Sequence, residues 1–286
     1  MSKYLIINAD GFGFTRGINR GIEEAVARGV ITSISVNANF DAAEDLPAFV
    51  QHFPHISVGV HVNPVVGRPL AHPKDIPTLV NADGDFHYKD FAARLMRKQI
   101  DLDELLYELS LQVKRVRDWG VHISHLDSHQ NQHLYPPYFR VFMRLLKAEG
   151  IYRMRTHAHF VLAESAHPRR DAVGFYLLHP YRILTHSLAR YEMGVARQQG
   201  IRMADRLMST SHTGDKAVLA LWLQLLRNVP GGWSEVFCHP AYPDDELRRW
   251  ATYVDQRRTE IDVMTCRETR ETIARCGIEL KSFHDL

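Results

Sequence analysis

Length, composition and charge limit what this chain can be. It has 286 residues, of which 45% are hydrophobic and 24% are charged, and its formal net charge is +2. These values describe one sizeable globular domain or two small ones, and they exclude a strongly basic surface of the kind that binds nucleic acid. We expect local basic clusters, such as the one at residues 153–155, to be ordinary solvated surface.

Cysteine usage and the first residues favour a reducing compartment. Cys238, Cys266 and Cys276 show no CxxC spacing and are too few for a disulfide framework. The N-terminus leads directly into an apolar strand without the features of a signal peptide, and no apolar run is long enough to span a bilayer. We therefore expect a cytoplasmic protein with no membrane span. The residue pattern leaves open whether it forms a homo-oligomer.

The first half of the chain alternates strand and helix patterns. Short runs rich in β-branched residues predict strands over residues 4–10, 31–39, 56–63 and 121–128. Apolar residues at helical spacing predict helices over residues 18–26, 42–53 and 102–116. A further helix is expected from Pro137, which suits a first helical turn, to a stop at Gly150.

The alternation resumes in the second half and decides the fold class. We expect strands over residues 152–156, 233–238 and 278–283, and helices over residues 216–226 and from Asp244 onward. Residues 157–213 have weak periodicity and are predicted to be an insertion or lid within a single domain of residues 1–286. Strands that alternate with helices indicate a parallel sheet, and this number of units favours a closed or nearly closed (β/α) barrel.

Polar residues gather where the predicted strands end. The carboxyl ends of the strands form the catalytic face of a (β/α) barrel, so these side chains are expected to lie close together. A single histidine among 17 is weak support for a site, but the shared position of the group is stronger. The members are Asn8, Asp10, His61, Asn63, His125, Asp127, His129 and His239.

The histidines around residue 125 allow two interpretations. The spacing of His122, His125, His129 and His133 would align them on one face of a helix. The β-branched residues before this segment and the proline after it favour a strand and loop, in which His125, Asp127 and His129 share one face. On the second interpretation the site can hold a divalent ion through imidazoles, with a nearby carboxylate as a base or supporting group.

Four segments together resemble the YdjC-like carbohydrate deacetylase family, which includes the chito-oligosaccharide deacetylases. They are LIINADGFG at residues 5–13, GVHVN at 59–63 followed by GRPL at 67–70, SHLDSH at 124–129, and EVFCHPAYP at 235–243. The resemblance extends from residue 5 to about residue 247, with a further match near residue 277, and is thin over residues 157–213. It implies a distorted parallel (β/α) barrel of the polysaccharide-deacetylase-like type.

The resemblance also implies an activity and the residues that carry it. The expected reaction is hydrolysis of the acetamide on an N-acetylglucosamine-containing saccharide or glycoconjugate. The family's metal ligands are implied to be the second aspartate of an Asn-Ala-Asp-Asp motif and two histidines, which map to His61 and His125. Asp10 would be the general base and His239 the acid that protonates the departing amine. Three further residues are expected to support the ligands or contact substrate: Asn63, Asp127 and His129.

The chain departs from the family pattern at Gly11, where the second aspartate is expected. Glycine has no side chain to coordinate with, and a catalytic zinc usually has three protein ligands. Three explanations stay open: an engineered substitution, a natural loss that leaves a sugar-binding protein, or a natural variant in which Asp10 has become the ligand. Zinc or magnesium is the expected ion, with manganese and cobalt also open.

Two other functions compete with the deacetylase hypothesis. One is a catalytically inactive carbohydrate-binding homologue that keeps the cleft, and the other is a metal-dependent amidohydrolase that acts on a non-sugar amide. Metal titration combined with a product assay separates the first from an enzyme. A panel of acetamides separates the second.

Overall fold

A parallel sheet forms the centre of the molecule. The structure is a computed structural model and describes residues 1–208, 218–251 and 253–286. The strands within these ranges are β1 (Lys3–Phe12), β2 (Ser33–Val36), β3 (Ser57–Val62), β4 (Ile123–Ser128), β5 (His159–Phe160), β6 (Arg206–Met208), β7 (Gly232–Cys238) and β8 (Ile278–Leu280). They pair in the order β4-β3-β2-β1-β7-β6-β5, and β8 pairs with the first residues of β1.

Isolated bridges connect the two sides of this sheet. Leu126 of β4 pairs in parallel with Met154, and Arg153 pairs in parallel with Arg202. The segments that contain Met154 and Arg202 continue into β5 and β6, which lie on the far side of the sheet order. The bridges therefore link β4 to the β5–β6 side, as expected for a distorted (β/α) barrel.

Helices cover the central strands, of which β1 and β3 are almost fully buried, as is usual for a parallel sheet. The longest, α7, has 18 residues, and among the described residues no helix is both long enough and apolar enough to cross a membrane. The helices are α1 (Arg16–Arg28), α2 (Leu46–His52), α3 (Phe91–Met96), α4 (Leu102–Asp118), α5 (Pro136–Ala148), α6 (Pro168–Leu178), α7 (Tyr181–Gln198), α8 (Leu219–Arg227), α9 (Asp245–Trp250), α10 (Arg257–Thr265) and α11 (Arg267–Arg275).

The sequence located most of these elements to within a few residues. The strand expected at residues 152–156 is instead an irregular segment with single bridges, and the strand expected at residues 278–283 ends at Leu280. The weakly periodic region contains α6 and α7 as well as β5 and β6, which belong to the sheet; its last residues, 209–213, lie outside the described residues. Of the helix expected at residues 216–226, residues 216 and 217 also lie outside them.

An irregularity near the end of β1 shapes the carboxyl-terminal edge of the sheet. The register between β1 and β2 shifts between Asp10 and Phe12, and Gly11 has a φ of +99°. Residues other than glycine rarely adopt this backbone conformation. Glycine therefore allows the strand to bulge directly after Asp10.

Candidate active site

A cavity of about 370 Å³ opens at the carboxyl ends of the central strands. Its volume falls within the range of small-molecule sites. The residues that line it come from the last residues of β1, β3, β4 and β7, from the segments that follow β1, β2, β3, β4 and β7, and from α1, α9 and the start of α10. Those with polar or charged side chains include Asp10, Asn37, His61, His129, Asn131, His239 and Arg257.

A buried arginine holds together the carboxylates beneath this cavity. Arg155 Nη1 and Nη2 donate to Asp10 Oδ2 and Oδ1 at 2.7 and 2.6 Å. Nη2 also lies 2.9 Å from Asp127 Oδ2, and Nε donates to Glu235 Oε1 at 2.7 Å. The expectation of a solvated basic cluster is thus wrong for Arg155, whose side chain is 1% exposed. Three nearby carboxylates make up for the loss of its hydration.

The same contacts set the charge of the carboxylates. Burial alone would raise the pKa of Asp10, but the charge and hydrogen bonds of Arg155 outweigh it and hold the pKa below its usual value. The pKa of Asp127 is lowered in the same way by Arg155 and His61, against burial. Burial raises the pKa of Glu235 to about 7 despite its bond with Arg155. Asp10 is therefore an ionised carboxylate at the cavity near neutral pH.

His61 is oriented by one of these carboxylates. Its Nδ1 is 2.9 Å from Asp127 Oδ1, which is a strong acceptor, so Nδ1 carries the proton. Burial disfavours the charged ring, but Asp127 and Asp10 more than offset it and raise the pKa of His61. The bond to Asp127 leaves Nε2 as the nitrogen that can act as a ligand. Asp127 thus fixes the orientation of the His61 ring, an arrangement that is common behind metal-binding histidines.

The structure places His129 beside His61 and keeps His125 away from the cavity. The His61 and His129 rings meet edge-on with centroids 5.6 Å apart, and both line the cavity. His125 is fully buried below them, stacked on Phe283 at 3.5 Å, with its nitrogens near the hydroxyls of Ser124 and Ser35. Its ring fills the space above Gly59, where any Cβ would collide with it. The geometry thus differs from the pairing of His61 with His125 expected from sequence.

His129 reaches the cavity because β4 ends before it. The predicted common strand face for His125, Asp127 and His129 fails at this point, since His129 begins a 3₁₀ segment, His129–Leu134. The helical stripe fails as well, since His125 lies within β4. Desolvation in the cavity and the nearby charge of His61 lower the pKa of His129 to about 3, so the ring is neutral near pH 7. A neutral imidazole is the form that binds metal.

Asn63 has a local structural role in this structure. Its Oδ1 accepts hydrogen bonds from the backbone N–H groups of Val65 and Val66, both at 3.0 Å. Its Nδ2 donates to Val66 O at 2.8 Å and to Asn39 Oδ1 at 3.1 Å. The side chain therefore shapes the loop after β3 and is not among the residues that line the cavity.

His239 follows β7 directly and lines the same cavity as His61 and His129. Its backbone N–H donates to Glu260 Oε2 at 2.5 Å, and the hydroxyl of Tyr253 donates to the same carboxyl group. Burial and then the charge of Arg257 lower the pKa of His239 to about 3. The ring is therefore neutral in the free protein, which constrains its expected role as an acid.

Among the residues that the structure describes, two groups at this cavity could hold a divalent ion. The ligand atoms of Asp10, His61 and Asp127 lie within 4.8 Å of one another, but both carboxylates already bind the guanidinium of Arg155, which would repel a cation among them. The cavity offers the imidazoles of His61 and His129 together with the side-chain oxygen of Asn37. These donors suit zinc and other first-row divalent ions, and the oxygen also suits magnesium.

Comparison with known proteins agrees with this architecture. The model of the YdjC-like protein family matches residues 4–275. The chain belongs to the YdjC-like family. It is 31% identical to the carbohydrate deacetylase of Geobacillus stearothermophilus over 288 residues, which cover 100% of this chain and 98% of that protein. It is 29% identical to the chitooligosaccharide deacetylase of Salmonella paratyphi B over 289 residues, covering all of both chains.

A solved structure shares the fold of this YdjC-like protein. It comes from Enterococcus faecalis, and cleavage of cellobiose phosphate has been suggested for it. The TM-score is 0.81 at 24% identity, covering 100% of this chain and 99% of the other. The family predicted from sequence and the parallel α/β fold are both confirmed.

Sequence reasoning missed several residues of this YdjC-like site. Arg155 lies within the strand predicted at residues 152–156, but the cluster it belongs to was interpreted as solvated surface. Arg257 lines the cavity from the start of α10, and burial lowers its pKa to about 10. Tyr88 and Trp250 add aromatic surface to the cavity, and nothing in their sequence context singled them out.

Proposed function

We propose that this protein is a metal-dependent N-deacetylase that hydrolyses the acetamide of an N-acetylglucosamine-containing saccharide or glycoconjugate. The observation that carries the proposal is that Asp10, His61, His129 and His239 line one cavity at the catalytic face of the barrel. The names of the relatives, carbohydrate deacetylase and chitooligosaccharide deacetylase, support a sugar as the substrate class.

The proposed ion is held by His61 and His129, not by His61 and His125. Both proposed imidazoles face the cavity, and the ring of His61 is fixed by Asp127 as ligand histidines usually are. When bound, such an ion polarises the acetyl carbonyl and lowers the pKa of water so that it can attack at neutral pH. Zinc and magnesium are the ions proposed first.

Asp10 is proposed as the general base. Its carboxylate faces the cavity and stays ionised because Arg155 lowers its pKa, so it can accept the proton that attacking water loses. Arg155 fixes the orientation of the carboxylate by binding both of its oxygens. The proton then leaves Asp10 for the amine nitrogen as the C–N bond breaks, which yields acetate and a free amino sugar.

His239 is proposed to assist the departure of the amine. Its ring is neutral in the free protein because burial and Arg257 lower its pKa. The negative charge that develops on the acetyl oxygen lies in the same cavity and favours the protonated ring during the reaction. His239 can then take up the proton that Asp10 accepted from water and donate it to the amine nitrogen as the C–N bond breaks.

The remaining surface of the cavity fits a sugar. Tyr88 and Trp250 offer aromatic faces that can pack against a pyranose ring, while Asn131 and Arg257 offer donors to its hydroxyl groups. Arg257 Nε donates to Tyr253 O at 2.8 Å, which fixes the side chain at the wall. The polar groups are few and convergent within a partly apolar wall, as is typical of small-molecule sites.

Acetate release tests the proposed function. Purified protein is incubated with N-acetylated chito-oligosaccharides and with either zinc or magnesium, and acetate is measured over time. We expect release that EDTA abolishes and that Asp10→Asn lowers by about 100-fold or more. An unchanged rate of acetate release in Asp10→Asn would show that Asp10 is not the general base. No release from any acetylated sugar, with binding of the sugar retained, would favour the carbohydrate-binding alternative, which Gly11 makes worth testing.

A further inference from the structure

Asn37 has a buried oxygen that no described group satisfies. It follows β2 directly, its side chain is 0% exposed, and it lines the cavity. Its backbone N–H donates to Phe12 O at 2.8 Å, and its Nδ2 donates to His61 O at 3.3 Å. Among the described residues Oδ1 accepts no hydrogen bond. A buried amide oxygen without a partner costs free energy, so its persistence points to a ligand.

The unpaired oxygen lies beside Gly11. A Cβ placed on Gly11 would have Asn37 Oδ1 as its nearest neighbour, together with Ile18, at 3.9 Å. The place where an aspartate side chain at position 11 would begin is therefore within van der Waals contact of this oxygen. The chain thus lacks a side-chain oxygen at position 11, but the unpaired Oδ1 of Asn37 lies next to this position, directly after the neighbouring strand β2.

We propose that Asn37 Oδ1 is the oxygen ligand of a divalent cation that His61 and His129 also bind, and that it replaces the carboxylate absent at Gly11. This inference rests on the proposed metal dependence of the cavity. The amide Nδ2 holds the side chain against the backbone of His61, which leaves Oδ1 for the ion. Asparagine oxygen is a hard donor of the kind that binds magnesium, manganese and calcium.

The charge of this donor set separates it from a carboxylate site. Two imidazole ligands and one amide ligand contribute no negative charge, and the nearby carboxylates of Asp10 and Asp127 are already paired with Arg155. The ion is therefore held more weakly than with a carboxylate ligand, because Coulomb attraction to a fixed anion is missing. Replacing the amide by a carboxylate at position 37 should tighten binding.

Metal titration in the absence of sugar tests the inference. Chelator-treated protein is titrated with Co²⁺, followed by its visible absorption, and with Zn²⁺ and Mg²⁺ by calorimetry. We expect Asn37→Leu, which keeps the approximate volume, to weaken binding by roughly tenfold or more, and Asn37→Asp to tighten it by a similar factor. Asn131→Gly is the matched control, since it removes a second cavity-lining amide at a position with φ of +54° that suits glycine.

The outcomes separate this inference from the proposed function. Equal affinity in folded Asn37→Leu and the wild type would overturn the role of Asn37 while leaving the metal site intact. Tighter metal binding by Asn37→Asp cannot result from misfolding. If Asn37→Leu fails to fold, metal affinity in Asn37→Asp that does not exceed the wild-type value would therefore count against the inference. If the wild type binds none of the three ions and releases no acetate with them, the proposed function fails as well. Loss on Asn131→Gly but not on Asn37→Leu would assign the oxygen to Asn131 instead.

Discussion

Arg155 binds both carboxylate oxygens of Asp10, with Nη1 2.7 Å from Oδ2 and Nη2 2.6 Å from Oδ1. This two-point contact fixes the plane of the carboxylate and aligns it with the cavity wall. Arg155 also binds Asp127, which holds His61, and Glu235, which lies in β7. One guanidinium therefore supports the proposed base and two neighbouring carboxyl groups. The orientation of the catalytic face therefore depends on a side chain that does not itself line the cavity.

Substitution of Arg155 should affect both stability and pH dependence. Arg155→Met leaves three buried carboxylates without their cation, and we expect the free energy of unfolding to fall by about 3–5 kcal/mol. Arg155 lowers the pKa of Asp10, so its contribution to stability is present above the unfolded value of 3.8 and is lost as pH falls. Urea unfolding at several pH values measures both effects.

A second measurement on Arg155 distinguishes positioning from simple support. In folded Arg155→Lys the pKa of Asp10 should rise, so the acidic limb of kcat/KM should move to higher pH. Arg153→Met is the control, because within the described part of the chain the Arg153 side chain donates to the backbone oxygens of Leu286 and His284, and the substitution should cost less than about 1 kcal/mol. An unmoved acidic limb would limit Arg155 to a structural role.

His129 and His125 should differ sharply when replaced by alanine. His129→Ala is expected to abolish detectable Co²⁺ binding and acetate release while costing little stability, because the ring lies at the cavity. His125→Ala leaves a cavity under Phe283 and should lower the free energy of unfolding by about 2 kcal/mol or more with metal affinity retained. Parallel Co²⁺ titration and urea unfolding decide this. Loss of metal in folded His125→Ala, with binding kept in His129→Ala, would restore the assignment made from sequence.

The contrast between these histidines shows what the sequence could predict. Periodicity and β-branched runs located β1–β4, β7 and β8 but not β5 or β6. The predicted positions of Asp10, His61 and His239 at or just after strand ends indicated which edge of the sheet they share. The choice between His125 and His129 depends on where β4 ends and on a register shift between Val58 and Gly59, which alternation alone cannot give. The role of Arg155 depends on contacts across 145 residues of chain with Asp10, which no local pattern encodes.

Gly11→Asp should restore a ligand at a cost in stability. The φ of +99° at Gly11 is unfavourable for any residue with a Cβ, so we expect the free energy of unfolding to fall by about 1–3 kcal/mol. The new carboxylate starts beside Asn37 Oδ1 and should increase metal affinity. Gly11→Ala carries the same backbone strain without a ligand and is the matched control. Equal metal affinity in the two variants would show that position 11 does not reach the ion.

Glu260 should make stability fall as pH rises. Burial raises the pKa of Glu260 to about 8 from 4.5, so between these values the native state keeps a proton that the unfolded chain has lost. Stability then decreases with pH across this range by up to about 1.4 kcal/mol per pH unit for one such group. Glu235, whose pKa is raised to about 7, adds to the decrease only up to that pH.

Glu260→Gln isolates this contribution. Glutamine resembles the protonated acid: its oxygen can accept the His239 N–H, and its amide can donate to the Tyr253 hydroxyl. The variant should therefore lose less stability than the wild type between pH 7 and 8, when urea unfolding is compared at both values. Glu23→Gln, on the exposed side of α1, should keep the wild-type slope. If Glu260→Gln also keeps that slope, the carboxyl group is ionised in the native protein at pH 7, and the His239 loop is anchored by a charge.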